Sequence, residues 1–218
     1  MTSVDPPEPE AQELTAAEIE VRALAVERLT FFADAVIAIA ITLLALDLPV
    51  PHGATNAQFW HSVLDHFNEY LAFVISFLVI AAHWGGHHRI FRYVTYLDGR
   101  LAGLTMAWLF TQIVTPFATR VITGEGAFQF RFGFYVLVQL AAFTVFTLMV
   151  REIQRHHLYR DSMPASTFRV VYFREAGMAA GFLVSIPISF FTSWAYACWV
   201  VGPFAMRLYH RVRGAGDR

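Results

Sequence analysis

The stretch that decides the fold begins at residue 28 and reads Arg28-Leu-Thr-Phe-Phe-Ala-Asp34-Ala-Val-Ile-Ala-Ile-Ala-Ile-Thr-Leu-Leu-Ala-Leu46. From Leu29 onward it is apolar and long enough to cross most of a bilayer as a helix. Asp34 is the one ionisable side chain within that run. A carboxylate is costly in hydrocarbon, so it must face protein, water or a partner charge. We therefore expect the first helix to carry function.

The composition of the chain is that of a membrane protein. Hydrophobic residues make up 56% of its 218 residues and charged residues only 15%, against about 25% charged residues in soluble domains. All 16 basic residues are arginine, but the net charge is −1. Nucleic acid is therefore not expected as a partner.

Six apolar segments are long enough to be transmembrane helices, which need about 20 residues each. We predict helices over residues 29–48, 62–84, 101–119, 132–150, 167–188 and 194–212. The fold class is thus an all-α integral membrane protein with one six-helix domain, residues 28–213. An acidic tail with a helical lead-in, residues 1–27, precedes this domain, and a short tail, residues 214–218, follows it.

Arginine placement sets the predicted orientation, because loops rich in arginine stay in the cytoplasm. With six spans and both termini in the cytoplasm, only Arg120 and Arg131 of the 16 arginines lie outside, which leaves 14 inside. The chain is therefore predicted to be a multi-pass protein with cytoplasmic termini.

The segment 29–88 contains no arginine or lysine. Three of its acids, Asp47, Asp65 and Glu69, lie at the predicted outer ends of the first two helices. On an oligomer they would form an acidic mouth that raises the local concentration of cations. Taken singly, each is equally explained as an ordinary solvated loop charge.

The first helix carries an apolar stripe when it is drawn at about 100° per residue. The stripe consists of Phe32, Ala35, Ile39, Leu43 and Leu46, with Thr42 at its edge. Asp34 lies about 140° from Ile39, so the carboxylate and the stripe face different surroundings. If the stripe lined a central axis, that axis would be narrow and apolar, and Asp34 would point into its own subunit. An apolar stripe also fits packing or lipid contact.

The entry to this helix resembles a known family. Arg28, Phe32 and Asp34 fit the R-x-x-x-F-S-D signature of the family of the lysosomal potassium channel called transmembrane protein 175, in its short bacterial form of one six-helix unit. Further similarity lies in Tyr70 to Ile80, Trp84, His87-His88-Arg89, Arg100 and Thr115-Pro-Phe117. Ala33 stands where the signature has serine, which removes a hydroxyl from the polar network around the motif.

The resemblance implies a homotetramer in the bacterial plasma membrane whose four first helices surround a path for potassium and other monovalent cations. It implies a leak-like channel without a T-V-G-Y-G filter, an enzyme activity or a cofactor. The hydrophobic constriction would be formed by rings of Ile39, Leu43 and Leu46, and the Thr42 hydroxyls would contribute to potassium preference. The partners would be other copies of the chain and the lipid bilayer.

The motif itself is predicted to anchor the helix without touching ions. Arg28 and Asp34 lie roughly 120° apart on the helix, so they cannot form a good pair with each other. Each must find partners on other helices. Together with Phe32, the candidates for this network are the side chains at the cytoplasmic end of helix two, namely His87, His88 and Arg89.

Two other functions remain open from the sequence. A proton-coupled secondary transporter would use Asp34 as its carboxylate, although no paired inverted repeat is visible. A membrane di-iron enzyme would use histidine boxes. The histidines available on the cytoplasmic side are His83, His87, His88, His156 and His157. Such sites need about eight histidines in three boxes. Only His83, His87 and His88 have the spacing of such a box, so no metal site is predicted.

Overall fold

A computed structural model describes residues 15–192, 195, 198 and 199. These residues form six α-helices and no β-sheet. The helices are α1 (Ala16–Leu46), α2 (Asn56–Asp65), α3 (Phe67–Phe91), α4 (Gly99–Thr123), α5 (Phe128–Arg155) and α6 (Ser166–Ser189). All but α2 are long and apolar enough to cross a membrane. The prediction of an all-helical, multi-pass chain is therefore confirmed.

The first five predicted spans correspond to α1, α3, α4, α5 and α6. The sixth, residues 194–212, falls on a segment of which only 195, 198 and 199 are described. The tails at residues 1–14 and 214–218 also lie outside the described residues. The sixth span and the cytoplasmic placement of both termini therefore stay predictions.

The second span differs from its predicted range, 62–84. Residues 62–65 belong to α2, and α3 begins at Phe67 and continues to Phe91. The break lies at His66, whose backbone leaves the helical region and whose Nδ1 lies 2.8 Å from the carbonyl oxygen of Ser62. This side chain competes with the backbone for that carbonyl, so one continuous helix does not form.

The lead-in and the first span are one helix. Thr15 caps its beginning, because the Thr15 hydroxyl accepts from the Glu18 backbone N–H while the Glu18 carboxylate accepts from the Thr15 backbone N–H. This capping box satisfies backbone donors that the first turn leaves free. The helix ends at Leu46, just before the Leu-Pro-Val-Pro sequence of residues 48–51.

The helices pack around aromatic side chains. Trp108 on α4 is fully buried, and its ring stacks on His87 of α3 with centroids 4.8 Å apart. Phe146 on α5 completes this centre, 5.7 Å from Trp108. α1 packs against α3 and α4 from one side. This arrangement covers one face of α1.

Two loops join at the end of the subunit where α3 and α5 finish. Val94 and Tyr159 form an isolated antiparallel bridge, in which Thr95 N donates to Leu158 O and Arg160 N donates to Tyr93 O, both at 2.9 Å. The guanidinium of Arg22 lies over the Tyr96 ring, 4.6 Å from its centroid. The lead-in of α1 is thereby attached to these loops.

Candidate pore helix and its anchoring contacts

The helix α1 buries one face and leaves the opposite face uncovered by the described residues. The buried face consists of Val26, Ala33, Ile37, Ala40 and Leu44, none of them more than 6% exposed. On the uncovered face, Ile39 is 59% exposed, Leu43 40% and Leu46 78%. Large apolar side chains left bare in one subunit require lipid or another protein surface to cover them.

The helical period explains this division. Ala33, Ile37, Ala40 and Leu44 lie between about 100° and 160° from Ile39 around the helix axis. The two alanines let the backbone of α1 come close to α3 and α4. Ala33 is fully buried in this contact, so the residue that replaces the signature serine needs no hydrogen-bond partner.

Thr42 lies on the uncovered side, next to the stripe. Its hydroxyl donates to the carbonyl oxygen of Ile39 at 2.8 Å. The hydroxyl proton is therefore occupied by the helix itself. The lone pairs of the Thr42 oxygen remain available to an external donor or to a cation.

Asp34 is held by a partner that the sequence did not predict. The indole Nε1–H of Trp84 donates to Asp34 Oδ1 at 2.8 Å. Asp34 is half-buried where α1 meets α3, and Trp84 remains 42% exposed. The carboxylate is thus anchored to α3 within its own subunit by a charge-assisted hydrogen bond.

The other predicted members of the network separate in the structure. His87 turns into the core, where it stacks on Phe91 and Trp108, and His88 stacks on Trp84 with centroids 5.6 Å apart. Arg28 and Arg89 are exposed, and neither has a hydrogen bond or ion pair with another described residue. Phe32 is 51% exposed. Within the described residues none of His87, His88 and Arg89 bonds to Asp34, and their role in an anchoring network stays a prediction.

The helical spacing of α3 explains why Trp84, and not His87, meets Asp34. His83, His87 and Gly86 share the buried face of α3, whereas Trp84 lies roughly 100° around the helix from His83, on the side toward α1. Trp84 and His88 are four residues apart, so their rings meet on that side. The sequence does contain this donor, since the indole of Trp84 lies one helical turn before His88.

The three outer acids are not equivalent. Asp47 forms an ion pair with Arg120 at the end of α4, with Oδ1 and Nη1 3.5 Å apart. Asp65 is exposed at the end of α2, and Glu69 is half-buried in the first turn of α3. The predicted acidic mouth thus has one of its three charges offset by an arginine of the same subunit.

We expect the Asp47–Arg120 pair to contribute little stability. Its side chains are 37% and 66% exposed, and exposed ion pairs are worth about 0–1 kcal/mol. Arg120→Gln should lower the free energy of unfolding by no more than about 1 kcal/mol, and high salt should abolish the difference. Chemical unfolding at low and high salt measures this loss. The double variant Asp47→Asn/Arg120→Gln serves as the matched comparison. A much larger loss would contradict it.

The histidines do not assemble into a metal site. His83 and His87 are buried among aromatic rings, while His88, His156 and His157 are exposed. Within residues 15–192, 195, 198 and 199, no group of three His, Cys, Asp or Glu side chains is placed to hold a metal ion. No observation in the described part of the chain favours the di-iron alternative.

The helix α1 and its contacts lie in a part of the chain that matches a known protein family. The sequence profile of the family described as endosomal/lysosomal potassium channel TMEM175 matches residues 28–116, which contain the stripe, Asp34 and Trp84. A protein named as a potassium channel in Streptomyces collinus is 31% identical over 168 residues, covering 75% of this chain and 82% of the relative. The chain belongs to the TMEM175 family.

Other TMEM175 relatives agree with this assignment. A protein named as a potassium channel in Chryseobacterium is 34% identical over 95 residues, 44% of this chain and 47% of the relative, so the match spans about half of that protein. The crystal structure of a lysosomal potassium-selective channel TMEM175 homolog from Chamaesiphon minutus superposes with a TM-score of 0.67 and 26% identity. That similarity covers 85% of this chain and 97% of the other. These matching proteins are named as channels and not as enzymes.

Proposed function

We propose that this TMEM175 family member is a leak-like, potassium-permeable channel in which four copies of α1 surround the ion path. The observation that carries the proposal is the uncovered stripe of α1, opposite the face that is buried against α3 and α4. One such helix cannot enclose a path alone. A closed ring of four identical subunits would bring the four stripes together around one axis.

The stripe supplies the constriction of the proposed pore. Ile39 and Leu43 are separated by about 6 Å along the helix axis, so they would form two successive apolar rings, with Leu46 beyond them. Such a neck excludes water and therefore blocks ions while it is narrow. A modest widening would let water and cations enter. This is the basis of the proposed hydrophobic gate.

Thr42 gives this neck its polar group. Because the Thr42 hydroxyl proton is donated to Ile39 O, the oxygen would present only lone pairs toward the axis. Four such oxygens would replace part of the hydration shell of a cation, and we propose that they contribute to the preference for potassium.

The selectivity would arise without a filter loop. α3 and α4 are connected by residues 92–98, and α4 and α5 by residues 124–127. Neither connection is long enough to re-enter the membrane as a filter, and the longer connections, residues 47–66 and 156–165, contain no T-V-G-Y-G-like segment. Asp34 would anchor α1 through Trp84 and stay away from the ions. We place the channel in a bacterial plasma membrane with cytoplasmic termini, on the arginine distribution.

The proposal is tested by assembly and by flux. In lipid nanodiscs the protein should have four times the mass of one chain, and a stable monomer would reject a central pore. In liposomes with a potassium gradient, a flux dye should report potassium efflux above that of empty liposomes. Saturable exchange coupled to protons, in place of leak-type current, would favour the transporter.

A further inference from the structure

A second site lies away from the stripe of α1. A partly open cavity of about 240 Å³ lies between α3, α4, α5 and the side chain of Trp199, at the end where α4 finishes and α5 begins. An engineered cavity of about 150 Å³ is sufficient to hold benzene. The cavity is therefore large enough for a chemical group well beyond a single water molecule. By the arginine distribution this is the outer end of the subunit.

The wall of the cavity has an apolar and a polar part. The apolar part includes Leu71, Ala72, Ile75 and Phe128, and the polar part includes Asn68 and Arg131. Arg131 is the one side chain among the described lining residues that carries a full charge. A ligand that fits both parts needs an apolar body and a group that accepts hydrogen bonds from a cation.

The hydroxyl groups in the wall already have partners. Ser76 Oγ and the Tyr135 hydroxyl oxygen are 2.9 Å apart, and the Thr119 hydroxyl donates to Ser76 Oγ at 2.7 Å. These buried groups therefore satisfy one another. The polar capacity left for a ligand lies at Asn68 and Arg131.

Arg131 is fixed in place but not fully paired. Its Nη1 donates to the carbonyl oxygen of Ile122, and its Nη2 donates to that of Gly126 at 3.2 Å. Its Nε is buried and has no acceptor among the residues that the structure describes. A buried donor without an acceptor is unfavourable, and a charged one more so. The guanidinium is thus held in a fixed orientation, and the described residues supply two acceptors for its five N–H donors.

The surroundings of the opening favour a lipid as the source of that oxygen. Phe67 and Phe130 precede Asn68 and Arg131 in the chain and are 49% and 76% exposed. On a membrane-spanning helix, such rings are covered by acyl chains or lie among headgroups. We propose that the cavity binds the phosphate group of an anionic phospholipid from the adjacent leaflet, with a phosphate oxygen accepting from the Arg131 guanidinium.

The phosphate and the glycerol occupy the cavity, and the acyl chains leave it along the exposed surface beside Phe67 and Phe130. Basic pockets between transmembrane helices bind headgroups in this way. The site shares no residue with the α1 stripe.

Native mass spectrometry of the assembled protein, titrated with phosphatidylglycerol, tests the site. Arg131→Gln should weaken lipid binding by about tenfold or more, because it removes a charge-assisted hydrogen bond. Arg120→Gln is the matched control, since it removes an exposed arginine from the same end of the subunit without changing the cavity. Equal weakening by both variants would overturn the proposal.

Ala72→Phe provides a second variant in which Arg131 is retained. It fills the cavity from the apolar side and should also lower phosphatidylglycerol binding, even if Arg131→Gln fails to fold. Undiminished lipid binding by Ala72→Phe would place the lipid elsewhere and overturn the proposal. Inorganic phosphate is the competing probe. Displacement of the lipid by phosphate at equal concentration would show an anion site without lipid specificity, and would likewise overturn it.

Discussion

Replacement of Ile39 by asparagine is expected to raise cation flux several-fold and to reduce the discrimination between potassium and sodium. Ile39 is 59% exposed on the uncovered face of α1, where the proposed constriction lies. An amide ring lowers the cost of hydrating an apolar neck, so water and partly hydrated cations enter more easily. Liposome flux under separate potassium and sodium gradients measures both quantities.

The matched control for this variant is Leu137→Asn on α5. Leu137 is 64% exposed, so the same amide is placed on a bare apolar position that does not belong to the stripe. Its flux should equal that of the unmodified protein. If Ile39→Asn also left flux and selectivity unchanged, the constriction would have to lie at Leu43 or Leu46. Equal increases in both variants would point to membrane leakage instead of a pore.

Asp34→Ala is expected to destabilise the protein by about 1.5–3 kcal/mol, the range for a hydrogen bond to a charged group. The variant removes the acceptor of the Trp84 indole N–H and with it one side-chain hydrogen bond between α1 and α3. Trp84→Phe removes the same bond from the donor side while keeping an aromatic ring. The double variant should therefore lose less than the sum of the two single losses. Chemical unfolding of the protein in detergent measures all three.

Ion preference separates anchoring from conduction in these variants. Protein that survives Asp34→Ala should keep the potassium-to-sodium flux ratio of the unmodified chain, because Asp34 lies about 140° from Ile39 around the helix. Asp161→Ala, an exposed aspartate in the α5–α6 loop, serves as the control for loss of a carboxylate. A stable Asp34→Ala protein with a changed flux ratio would mean that the carboxylate faces the ion path.

The sequence predicted the five described spans well, because hydropathy and length determine which segments can lie in lipid. The two different faces of α1 could also be predicted, since a helix of fixed period places Ile39 and Leu43 on one face and Asp34 on another. The start of the second span could not be predicted in this way. It depends on the ring of His66 bonding to Ser62 O, which competes locally with the backbone and leaves no mark on hydropathy.

The contacts between helices were harder to predict than the helices. The choice of Trp84 over His87 as the partner of Asp34 depends on how α3 is rotated against α1. That rotation follows from packing of His87 on Trp108, a contact between residues far apart in the chain. The Asp47–Arg120 pair has the same origin, since it joins the ends of α1 and α4. Sequence periodicity describes one helix at a time and does not fix these relations.

The continuity of α1 limits how the proposed gate can move. The helix has 31 residues, a rod of about 46 Å, and its sequence contains neither glycine nor proline. Sharp kinks arise mainly at such residues, so α1 has no built-in hinge beside Ile39. Arg22 on Tyr96 attaches one end of the rod, and Asp47 with Arg120 attaches the other. In the proposed channel, a backbone movement at Ile39 would therefore have to roll or tilt α1 as one rod, and the contact of Arg22 with Tyr96 would carry that movement to the loop between α3 and α4.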